Sequence, residues 1–195
     1  MSGRRLTRMV WGLFLAGLGA LAGLTVLLGH PLGAGAFLPF VLPVALWVAW
    51  SDMKYMKIPN KAVMTLIAVF AVAGLFALTP EIWAWRWLHF GAVLVIGFGM
   101  STIGMVGAGD AKFAAAMAPF IAAADAGRFL LLFSVVVIAA FVTHRLIRRV
   151  PTVRRALPDW ESWERRDFPM GLALAGALLF YLVLSLIGST APGRV

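Results

Sequence analysis

The sequence predicts an all-α fold, a polytopic membrane helix bundle of about 6–7 transmembrane helices. Three observations predict it. The 195 residues are 62% hydrophobic and only 13% charged, whereas a soluble domain averages about a quarter charged. Seven apolar stretches divide the chain. None of them alternates apolar and polar residues, as the strands of a membrane barrel would, so backbone groups in lipid must bond within helices.

The first stretch, Met9–Leu28, follows Arg4, Arg5 and Arg8. A signal peptide has a similar basic start, but this apolar run is longer than its core and further spans follow, so a retained helix is expected. Leu32–Trp50 ends just before Asp52. Ala62–Thr79 follows Ile58-Pro59-Asn60: Pro59 restricts Ile58 to extended geometry and suits a helix start, and Asn60 is a turn or cap residue. Lys54, Lys57 and Lys61 are placed to face anionic lipid heads. Trp87–Val106 leads into Gly107-Ala108-Gly109-Asp110. Phe113–Ala124 is short, rising about 18 Å against a hydrocarbon core of ~30 Å. Either its helix begins earlier, near Asp110, or it dips in and returns with Phe129–Thr143. Pro169–Gly188 is the last apolar stretch.

A single integral membrane domain is expected: an extra N-terminal helix (1–31), a core (32–143), a basic cytoplasmic loop (144–168) and a C-terminal helix and tail (169–195). The loop is too short and too charged to form its own core. Its Trp160 and Trp163 stand among charges, as in a segment at headgroup level, although an ordinary positive-inside loop explains it as well.

Orientation follows from the basic residues. With the N-terminus in the cytoplasm, 14 of the 17 Lys and Arg fall inside; only Arg86, Arg128 and Arg194 fall outside. That asymmetry favours this orientation over its inverse. It also accounts for the net charge of +9 without nucleic acid as a partner. The absence of cysteine excludes disulfides, thiolate nucleophiles and cysteine-ligated metal.

Under this topology Asp52 follows the second helix and Asp110 the fourth, both at cytoplasmic helix ends. Of the eight acidic residues, Glu81 and Asp125 fall outside, and the others belong to the polar loop. Carboxylates brought together share one proton, since both do not ionise easily. One then takes a proton from water and the other donates to a carbonyl, which suffices to hydrolyse an amide without metal or cofactor. Gly107 and Gly109 can adopt positive φ and admit another backbone closely, and Asp110 would stand as an N-cap. Taken singly, a juxtamembrane Asp is usually a cap and a G-x-G usually serves helix packing. Spacing alone equally describes an ion or proton site.

Asp52-x5-Ile58-Pro59-Asn60 followed by Gly107-Ala108-Gly109-Asp110-Ala111-Lys112 resembles the type IV prepilin peptidases, aspartic proteases of the G-x-G-D class in the bacterial inner membrane. The short form found with Flp/Tad-type pilus systems is the most similar. The resemblance implies that Asp52 and Asp110 are the catalytic pair, and that Gly107, Gly109, Ile58, Pro59, Asn60 and Lys112 carry the motif. It implies cleavage of prepilin or pseudopilin leaders at the cytoplasmic face, with no cofactor, among membrane lipid and pilus or secretion machinery. Long members carry a cysteine-bearing insert and methylate the product. This chain has no such insert, so methyl transfer is not expected.

Two other classes are compatible with the residues. A small transporter could bind a cation or relay protons through the same carboxylates. A structural subunit of a secretion machine could use them as caps.

Overall fold

The structure, a computed structural model, describes residues 34–189. The stretch Met9–Leu28 and the extreme C-terminus lie outside the described residues. A 3₁₀ turn, Ala34–Phe37, leads into α1 (Leu38–Tyr55). There follow α2 (Asn60–Ala77), α3 (Pro80–Thr102), α4 (Ala108–Met117), α5 (Ala126–Ile147), α6 (Pro151–Ala156) and α7 (Met170–Ser189). Among the described residues every regular element is helical, and five helices are long and apolar enough to cross a membrane. The protein is an all-α membrane helix bundle.

α7 packs against α1, α5 and α4, while α3 packs chiefly on α4. The most apolar stretches of α1, α2 and α7 are each 44% buried, against 6% for α3 and 11% for α5. The first three therefore build the core, and α3 and α5 turn most of their apolar surface outward. At the end of the bundle remote from Asp52, Phe37, Phe70 and Phe120 meet with ring centroids 5.0–5.8 Å apart. Offset and edge-on aromatic pairs of this kind add to simple area burial.

Several boundaries differ from those expected. α1 runs on through Asp52 to Tyr55 and ends where Met56 takes a left-handed conformation (φ 51°). Asp52 thus lies in its last turn rather than beyond it. α3 begins seven residues early, at Pro80: Thr79 caps it, its hydroxyl accepting from the Ile82 N–H at 3.5 Å, and Pro80 occupies the first turn. Arg86, expected in an outer loop, lies inside α3 and is buried. The bundle tolerates it there because its guanidinium donates to the carbonyls of Pro119 and Phe120, each at 3.1 Å.

The short fifth stretch begins earlier than its apolar run, at Ala108. α4 ends at Met117, and a 3₁₀ turn Ala118–Phe120 containing Pro119 follows. Proline cannot continue a helix without losing a backbone bond. The chain therefore runs from the Asp52 end of the bundle to the level of Arg86. It is tied there to α7, where Tyr181 donates to Asp125 at 3.0 Å and accepts from the Ala122 N–H at 3.1 Å.

Candidate active site

The last turn of α1 is polar where the rest is not. Ser51 and Asp52 are buried, at 4% and 5% exposure. A polar side chain is buried at acceptable cost only when it has partners. The Ser51 hydroxyl donates to the Lys57 carbonyl at 2.9 Å. The Met56 N–H bonds the Asp52 carbonyl at 2.9 Å. Together they fold residues 56–59 tightly back beneath α1. Pro59 then caps α2 in extended geometry (φ −66°, ψ 131°), and Asn60 is the first helical residue rather than the cap.

The partner of the Asp52 side chain comes from far along the chain. The main-chain N–H of Gly171, at the start of α7, donates to Asp52 Oδ2 at 2.6 Å. The N–H of Leu172 bonds it as well. The first N–H groups of a helix have no partner inside it, so a carboxylate is well placed there. Gly171 must be small: a Cβ would fall 2.9 Å from Asp52 Oδ2 and 2.9 Å from Ile58 Cδ1.

Asp110 lies in the first turn of α4, where Gly107 and not Asp110 is the cap. Gly107 is extended (φ −63°, ψ 139°), and Gly109 is helical. The positive-φ glycine among the described residues is Gly104 (φ 75°). Neither motif glycine therefore serves a left-handed turn, and only Gly107 is needed for clearance. A Cβ on Gly107 would fall 2.6 Å from Asp110 Oδ2. One on Gly109 would meet Ile58 Cβ at 3.6 Å, ordinary contact.

Ile58 is consequently a wedge between the starts of α4 and α7, touching Gly109 on one side and Gly171 on the other. It thus sits between the helix start that carries Asp110 and the glycine that bonds Asp52. Burial, and then the charge of Asp52, pushes the Asp110 carboxyl up to about 6. That the charge of Asp52 adds to the effect of burial places the two acids within interaction range. Lys112, in contrast, is exposed. Among the described residues no three His, Asp or Glu side chains gather as metal ligands would.

Sequence reasoning brought out Asp52, Asp110 and Ile58 but missed Ser51, Met56 and Gly171. Gly171 does carry a signal: it follows Pro169-Met170 at the head of an apolar run, so its N–H was bound to need an acceptor. Nothing in the sequence shows which acceptor.

A family model described as the type IV leader peptidase family matches residues 39–144. That is 106 of the 195 residues, from the start of α1 into the last turn of α5. No curated protein and no solved structure matches the chain.

Proposed function

Since the chain belongs to the type IV leader peptidase family, we propose that Asp52 and Asp110 hydrolyse the leader bond of a Flp/Tad-like prepilin, as an aspartic-type endopeptidase. One observation carries the reading: a second carboxylate beside Asp52 whose proton is held to about pH 6. Asp52, gripped by the Gly171 N–H, is the acceptor that takes a proton from water. Asp110, exposed enough to meet substrate at the mouth of α4, gives its proton to the scissile carbonyl oxygen; as the resulting gem-diol collapses, Asp52 passes the proton taken from water to the leaving amine and Asp110 recovers its own from the diol hydroxyl. Hydrolysis adds one water across the C–N bond, and the proton count of the pair is restored.

The basic residues near these helix ends support a cytoplasmic site in the bacterial inner membrane. Exposed Lys112 serves as a headgroup anchor beside the site rather than as a reacting group. The extended substrate enters past Gly107 and Gly109, where the backbone is not shielded by side chains.

Co-expression of the chain with short pilin-like proteins tests this. A leader-sized mass loss in the pilin is the expected result. Intact pilins together with aspartate-dependent cation uptake in proteoliposomes would favour a transporter instead.

A further inference from the structure

Beyond the family match, where α5 leaves the bundle at the Asp52 end, five arginines gather round one groove. Arg145, Arg148, Arg149, Arg154 and Arg155, with Pro151, line a space of about 710 Å³. Guanidinium groups so grouped repel one another unless an anion lies among them. The protein supplies little of that charge. Glu164 pairs with Arg154 at 2.6 Å, which leaves four of the five cations unneutralised by it. Arg145 and Arg148 are half-buried and are held by neutral partners, the carbonyls of Arg166 at 2.7 Å and Arg165 at 3.0 Å. These bonds aim the guanidinium forks without cancelling their charge.

The surroundings indicate the source of the anion. Val135, Ile138, Val142 and Leu146 are all exposed. Spaced three or four residues apart, they form one apolar stripe along α5. The stripe runs directly to the arginines, so a molecule with an acyl chain and an anionic head matches both parts. Planar guanidinium groups recognise phosphate through paired hydrogen bonds, which an ammonium cannot reproduce.

We propose that this groove is a phosphate-ester site that holds the headgroup of an anionic phospholipid, with its acyl chains on the stripe of α5. The site would fix the height of α5 and the following loop in the membrane. Because α5 and that loop pack beside the start of α7, it would also steady the N-terminus of α7 against Asp52.

The test uses the full chain, purified and reconstituted with phosphatidylcholine, with or without phosphatidylglycerol, then released for native mass spectrometry. Retention of phosphatidylglycerol in preference to phosphatidylcholine is expected. The bonds across to the loop come from Arg145, Arg148 and Arg154, and the Arg155 side chain bonds only the Pro151 carbonyl one turn back in α6, so R149A/R155A should keep the fold, checked by its melting temperature, and lose that preference. R149K/R155K keeps the charge and should still bind about tenfold more weakly, through loss of paired bonding. Equal retention of the two lipids, or undiminished binding by the lysine variant, would overturn a built site. Inorganic phosphate in detergent is the second arm. If it protects the protein as well as phosphatidylglycerol does, the lipid source is wrong.

Discussion

Gly171 donates its main-chain N–H to Asp52 across 119 residues of sequence. The bond joins the last helix, outside the family match, to the acid at the end of the first described one. On the proposed assignment of Asp52, the active site is therefore not confined to the matched segment. Gly171→Ala places a methyl group 2.9 Å from Asp52 Oδ2, so Asp52 must swing away or α7 must retreat. A charged group's hydrogen bond contributes about 1.5–3 kcal/mol, so kcat/KM should fall about 10–100-fold, and further in Gly171→Val. Cleavage assays on a protein that still purifies as one species would check this. Unchanged turnover in both variants would remove α7 from the site.

The two motif glycines should separate. Gly107→Ala collides with Asp110 Oδ2 at 2.6 Å and should lower kcat/KM by about tenfold or more, by displacing the acid. Gly109→Ala meets only ordinary contact at 3.6 Å and lies in a helix, where Ala is preferred over Gly by about 1 kcal/mol. Its Tm should hold or rise. Activity lost in Gly109→Ala without loss of Tm would then mark the approach of substrate, not damage to the fold.

Activity should have an acid-side optimum. In the proposed mechanism the pair works with one proton, and Asp110 gives it up at about pH 6. Raising the pH through that value ionises both acids, so kcat/KM should decline by about tenfold per pH unit above it. In Asp52→Asn the neighbouring charge is gone. The Asp110 titration, followed by carbon NMR of labelled carboxyls, should move down towards its ordinary value but not reach it, because burial is the larger cause. A flat profile from pH 5 to 8 would contradict the shared proton.

Arg86 should matter to stability rather than to chemistry. It is buried and serves the carbonyls of Pro119 and Phe120, which Pro119 helps to leave without helical partners. Arg86→Met leaves both unpaired and should cost about 2–5 kcal/mol, read as a lower Tm. The cleavage rate of the remaining folded protein should be little changed.

The helical class and most of the helices were legible because bilayer residues are apolar all round, and the runs are long. Where the reading slipped, polar residues had found partners that no local pattern shows. Asp52 reads as a residue beyond a helix because its acceptor atoms are filled by Gly171, far away in sequence. Arg86 reads as a loop residue because its carbonyl partners, at Pro119 and Phe120, lie over thirty residues away in the sequence. Positive φ at Gly107 and Gly109 is the natural reading of a G-x-G, yet neither adopts it, and only the crowding of Asp110 against Gly107 requires an absent side chain. The position of Ile58 between Gly109 and Gly171 is tertiary and has no sequence signature.

The most direct test of the account is leader cleavage by Asp52→Asn, Asp110→Asn and the double variant, each shown to insert in the membrane at the level of the parent. If the carboxylates act as one unit, either single change abolishes cleavage and the double variant is no worse than the singles. Substantial cleavage by either single variant would contradict it.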